Sequence, residues 1–155
     1  MINLNYELLL KESDSAGLIV KEKPLKYNDG RIKGRRVAIR KDLKTTTEKG
    51  CILAEELGHY HTSTGNILDQ NNVLNRKQEL RARAWAYDKM IGLNGIISAY
   101  KNGCRTKYDI AQFLDVTEDF LSDALKHYRS KFGTYTKIDN YIIYFEPTLG
   151  VFELR

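Results

Sequence analysis

The stretch Ala54-Glu55-Glu56-Leu57-Gly58-His59-Tyr60-His61, followed by Glu79 twenty positions after His59, decides how this chain is read. Ile52, Leu53, Leu57 and Tyr60 recur at helical spacing. Upstream, Thr45-Thr-Thr-Glu48 has the Thr-to-Glu spacing of a capping box, which starts a helix. On that helix Glu55 and His59 stand at i and i+4, on one face and one turn apart, so both can grip a single ion. Glu56 lies beside them, where a general base meets an activated water.

A catalytic zinc site needs three protein ligands and an open position. Glu79 is the candidate third ligand, on a helix expected over residues 76–91 that carries Glu79, Ala82, Ala86 and Met90 on one stripe. The small residues behind Glu79 allow that stripe to lie close to the first helix. Gly58 costs helix propensity, and its use is either a close backbone approach or packing alone. The zinc-peptidase helix ordinarily carries His, Glu, two spacers and His, and here Glu55 stands at the first His. A carboxylate does bind Zn²⁺, at about 2.0–2.2 Å. Two carboxylates and one imidazole make a harder set, which keeps Zn²⁺ as first choice but moves preference toward Mn²⁺. His61 lies about 200° around the helix from His59. It can replace the missing ligand only if the helix frays after Tyr60, and otherwise reads as a surface histidine near a helix end.

Elsewhere the patterns are ordinary. A short helix is expected over residues 4–12, a strand over 18–25, a turn at Asn28-Asp29-Gly30 and an alternating strand over 36–40. The first long helix ends at Ser63-Thr64-Gly65, and a polar loop runs from 66 to 75. Further helices are expected over 95–101, 107–114 and 117–131, the last capped by Thr117 and stopped by Gly133. Two strands, 141–145 and 151–154, flank the Glu146-Pro147 break and form a hairpin. His127 reads as structural or surface, without acidic companions at ligand spacing.

At 155 residues the chain suits one domain over 1–155, with a metal-site core over about 1–92 and a helical and hairpin part over about 93–155. No apolar run approaches the roughly 18 residues that span a bilayer, so no membrane partner is expected. The first ten residues lack the basic start and cleavage site of a signal peptide, which places the protein in the cytoplasm. Cys51 and Cys104 lack metal-motif spacing and are expected to stay reduced. Residues 21–49 hold eleven Lys or Arg against four acids, a net +7. Such a segment attracts nucleic acid or an acidic protein, or is a lysine-rich solvated hairpin that protects sheet edges.

Ile110-Ala111-Gln112-Phe113-Leu114-Asp115-Val116-Thr117 followed by Phe120 has helix-turn-helix spacing. A recognition helix places its first residues at base edges and phosphates, and here those are Glu118 and Asp119. Acids beside phosphate repel, so direct DNA binding is not expected, and the two helices read instead as a packing or partner-docking unit.

The run Cys51 to His61, with Gln78-Glu79-Leu80-Arg81-Ala82-Arg83-Ala84-Trp85-Ala86, resembles the ImmA/IrrE metallopeptidases, and Tyr108 to Thr117 fits the type carried by phages and mobile elements. The resemblance implies an α+β fold with a mainly helical, zincin-like core, a small N-terminal β-sheet and a C-terminal β-hairpin. It also implies a zinc-dependent endopeptidase that cleaves a repressor protein and so releases repressed genes. By motif position Glu56 matches the general base, and His59 and Glu79 match metal ligands. Glu55 departs from the family's first His. The alternative is a catalytically weak or inactive protein that keeps the fold and binds a repressor.

Overall fold

The computed structural model describes residues 5–63 and 72–155. The chain opens with α1 (Asn5–Ser15), then β1 (Ile19–Lys23), β2 (Gly30–Lys33) and β3 (Arg36–Arg40), followed by α2 (Thr46–Thr62) and α3 (Asn72–Met90). These elements belong to one unit, which ends at Lys89. Its sheet has the order β1-β3-β2, with β1 parallel and β2 antiparallel to β3. On β3 the alternation is strict: Val37 and Ile39 are buried, while Arg36 is exposed and Ala38 half-buried. The buried side of β3 faces α2, which packs on both β2 and β3.

Strand β2 is absent from the sequence reading, which places only a turn there. Of its four residues only Ile32 is apolar, so no alternation announces it. Pairing with β3 across the two-residue loop Gly34-Arg35 creates it, with Gly34 at φ +60°.

Helix α2 starts where the capping box places it. The Thr45 side chain accepts from the Glu48 backbone N–H at 3.1 Å, and a Glu48 carboxylate oxygen accepts from the Lys44 N–H at 3.3 Å. Helix α1 lies on α2, burying Tyr6, Leu9 and Ser13. Glu22 of β1 joins the layers, accepting from the Tyr6 hydroxyl at 3.0 Å and the Lys49 ammonium at 2.8 Å. The Ser63 end of α2 is observed, while Thr64, Gly65 and the expected loop up to Asn71 lie outside the described residues. Residues 72–75, expected as loop, are helical and lengthen α3 at its start.

The second unit begins at Met90 and contains α4 (Gly92–Lys101), α5 (Lys107–Leu114), α6 (Glu118–Phe132), β4 (Tyr135–Ile138), β5 (Tyr141–Tyr144) and β6 (Gly150–Glu153). Thr106 and Thr117 cap α5 and α6 through their side chains. Asp115 makes the turn between them in the left-handed region, at φ 55°. The expected hairpin is β5–β6, and β4 adds a third antiparallel strand in the order β4-β5-β6. Its alternating Tyr135 and Lys137 are exposed, so the strand lacked an apolar signal. Leu121, Tyr128 and Ile143 are almost fully buried and form the heart of this unit. Together these elements make an α+β protein, and no described helix is long and apolar enough to cross a membrane.

Two glycines of α2 have opposite meanings. A Cβ on Gly50 would rest 3.4–3.6 Å from Tyr6, an ordinary contact. A Cβ on Gly58 would collide with the carbonyl group of Ala82 in α3, because the two backbones touch there. Gly50→Ala is therefore expected to leave stability unchanged or raise it by up to about 1 kcal/mol, the ordinary helix-propensity gain. Gly58→Ala is expected to lose roughly 2–3 kcal/mol, about 5–10 °C in Tm, because backbone cannot move aside as a side chain can. Thermal and urea denaturation of the pair would show the difference, and equal effects would remove the close-approach account.

Candidate metal centre

The close approach at Gly58 and Ala82 sets the distance between the next residue of α2 and the start of the Ala82 stripe on α3. His59 Nε2 lies 3.0 Å from Glu79 Oε2. The other oxygen of Glu79 is held by Arg83 Nε at 3.2 Å, one turn further along α3. Both carboxylate oxygens thus have partners, which fixes the plane of the group as it faces His59.

Glu55 and Glu56 sit half-buried on the preceding turn of α2. Gly30 of β2 approaches Glu56 so closely that a Cβ there would stand 3.0 Å from its Oε1. The strand that carried no sequence signal therefore forms one wall beside the candidate base. Burial pushes the Glu56 carboxyl up to about 7, with the Glu55 and Glu79 charges adding to the rise and His59 opposing it. The hydrogen bond to Glu79 raises the His59 pKa, helped by the carboxylates of Glu79, Glu56 and Glu55 against desolvation. The same hydrogen bond is the main cause lowering the Glu79 carboxyl, and Arg83 assists.

Three carboxylates thus surround one imidazole, an arrangement short of positive charge. Among the described residues, no three His, Cys, Asp or Glu side chains converge as a complete ligand cluster. His59 and Glu79 meet, and Glu55 is felt by His59 through its charge. The donor set, one imidazole nitrogen and carboxylate oxygens, fits a divalent cation of the zinc or manganese kind. Tetrahedral ligands at about 2.1 Å from an ion stand about 3.4 Å apart, so the pair at 3.0 Å needs only a small opening to admit one.

His61 does not enter. Helix α2 continues through Thr62, and the exposed His61 ring stacks on Trp85 of α3 with centroids 4.8 Å apart and planes at 23°. That stack ties the end of α2 to α3, a role the sequence reading did not assign. Arg83 was also missed, although its i+4 spacing from Glu79 was legible. His127 packs against Tyr128 in the second unit.

The family model for peptidase M78, the IrrE N-terminal-like domain, matches residues 8–126. The chain belongs to this family. The M78 match takes in the first unit almost whole and reaches into α6, leaving β4, β5 and β6 beyond it. No curated protein and no solved structure matches the chain. Membership makes this a domain of the IrrE/ImmA metallopeptidase type, and such a family implies a divalent metal, usually zinc.

The charge balance gives a pH dependence with a definite sign. The folded pKa of Glu56 lies above the ordinary 4.5, so its contribution to stability is present below that pH and is lost as pH rises through about 7. His59, also raised, acts in the same direction, while the lowered Glu79 matters only in more acid solution. Metal-free protein is expected to lose on the order of 2–3 kcal/mol between pH 5 and pH 8. Glu56→Gln should flatten that slope, as read by urea denaturation at each pH. A wild-type slope that survives in the variant would assign the effect elsewhere.

Proposed function

We propose that this M78 domain is a metal-dependent endopeptidase, with zinc the first-choice ion and a repressor protein of a phage or other mobile element as substrate. The supporting observation is the position of Glu56: a half-buried carboxyl, raised to about 7 in the metal-free site, one helical turn from the His59–Glu79 pair. A base with a pKa near the working pH both accepts and returns a proton readily. His59 and Glu79 would hold the ion, with Glu55 as third ligand. When bound, the ion polarises the scissile carbonyl and acidifies water. Glu56 takes the proton from the attacking water and delivers it to the leaving amine. Arg83 keeps Glu79 oriented, and the bare Gly30 leaves room for the Glu56 carboxylate to move between those two partners. The repressor substrate and the mobile-element setting rest on the resemblance of the 51–61 and 78–86 runs and of the 108–117 run.

A second reading follows from Glu55. With carboxylate where the family's helix has imidazole, the ion is held in a more anionic set that polarises the carbonyl less. In that reading the domain binds a repressor and cleaves it slowly or not at all.

Elemental mass spectrometry on protein purified without a metal column is expected to give about one zinc or manganese per chain, lost in a His59→Ala, Glu79→Ala double variant. Glu56→Gln should keep the metal and the fold while abolishing cleavage of a bound repressor. Unchanged cleavage by that variant would refute the base assignment. Glu55→His is expected to tighten zinc binding and to equal or exceed wild-type activity. Unchanged zinc affinity would remove Glu55 from the ligand set.

A further inference from the structure

We propose that the outer face of the β1-β3-β2 sheet is a docking surface for the phosphate backbone of duplex DNA, engaged without regard to base sequence. Side chains alternate across a strand, and the packing of α2 identifies the inner set as Val37, Ile39 and their neighbours. The outer set therefore includes Lys21 and Lys23 of β1, Arg31 and Lys33 of β2, and Arg36 of β3. All five are exposed. They ring a shallow cleft of about 240 Å³ centred on the small side chain of Ala38, which pairs with Lys21 on one side and Arg31 on the other.

These cations lack the partners that the chain supplies elsewhere. Arg40, at the end of the same face, has Asp29 Oδ1 at 3.1 Å and Asp42 Oδ1 at 3.0 Å, the second off the hydrogen-bonding direction. Lys49, on the α2 side, has Glu22. Among the described residues, none of the five ringing Ala38 forms an ion pair. Lys33 and Arg36 are directly opposed across the β2–β3 ladder, a like-charge pairing that weakens a sheet. A solvated face would relieve this with interspersed acids. An external polyanion relieves it instead.

Duplex backbone fits this surface better than an acidic protein or a single strand. A protein partner needs buried apolar or aromatic anchors, and the apolar lining of this cleft is Ile19, Ala38 and the already buried Val37. Single strands are held by stacking bases on aromatic rings, and the outer set contains none. Lys and Arg neutralise phosphates, the contact that carries affinity without reading sequence. The surface is also separate from the metal centre. Gly30 faces Glu56 on the α2 side, so Arg31, the next residue, points away from it. Helix α6, with Glu118 and Asp119 at its exposed start, takes no part.

The test is fluorescence anisotropy of the full chain with two short labelled duplexes of unrelated sequence, at about 50 to 200 mM salt. Five phosphate contacts give a log–log salt slope of about −4 to −5, an affinity loss of roughly 500-fold across that range. Equal binding of both duplexes with that slope, abolished when Lys21, Lys23, Arg31, Lys33 and Arg36 are all changed to Gln, supports the proposal. Should the fivefold variant fail to fold, Lys21→Gln and Arg31→Gln singly should each reduce the slope by about 1. Absence of duplex binding at 50 mM salt would overturn it. So would equal loss of binding in a Lys107→Gln, Lys126→Gln control in the second unit. Tighter binding of poly-glutamate than of duplex would overturn it as well, and would give the face to an acidic protein.

Discussion

The contact on which the site depends is between two backbones, at Gly58 of α2 and Ala82 of α3. Helices whose contact residues carry ordinary side chains stand about 8–10 Å apart, too far for a short side-chain bridge of fixed geometry. Removing the Cβ at Gly58, and keeping only methyl groups at Ala82 and Ala86, lets α3 settle against α2. The residue after Gly58 then meets the residue three before Ala82 at hydrogen-bonding distance. The helix loses propensity at Gly58, and the gain is a His59–Glu79 pair positioned by main chain rather than by flexible side chains. The stack of His61 on Trp85 holds the same two helices together beyond the pair, so the approach is braced on either side of Ala82.

That geometry concentrates negative charge. Glu55, Glu56 and Glu79 surround His59, and only Arg83 answers them among the groups that shift these pKa values. The carboxyls respond differently because their environments differ. Glu79, bonded to both His59 and Arg83, is stabilised as an anion, whereas the more buried Glu56 is driven toward the neutral form. Two like groups pushed apart in pKa, one on α2 and one on α3, can serve as base and ligand in one site. The substitution of carboxylate for imidazole at position 55 adds to the same imbalance. It deepens the need for a cation while lessening what that cation can do to a carbonyl.

Much of this was legible in the sequence where a local rule had no competitor. Thr45 to Glu48 and Thr117 are caps whose hydrogen bonds form as their spacing indicates. The Ala82–Ala86 stripe allowed a close crossing, and the contact with Ala82 decides between the two uses left open for Gly58. Strands β2 and β4 were not legible, because each exists through pairing with a neighbour rather than through its own apolar alternation. The cost of missing β2 falls on the site, since Gly30 is what lies against Glu56. His61 shows the limit of motif reading. Its spacing read as a surface histidine, or as a spare ligand if the helix frayed, and its neighbour Trp85, 24 residues later in the chain, made it a packing group.

The N-terminal sheet shows how one burial requirement can specify a surface that contributes nothing to it. A one-residue slip of β3 would place Arg36, Ala38 and Arg40 against α2 and turn Val37 and Ile39 to solvent. Burial of those two side chains, together with Glu22 tied to Tyr6 and Lys49, forbids the slip. The outer register is therefore fixed as firmly as the inner one, and Lys33 is locked opposite Arg36. Neutral residues at those outer positions would leave the core untouched and remove the repulsion. Five cations held in a defined grid at a cost to the sheet are thus a property separate from folding, and the candidate metal centre on the far side of β2 does not use them.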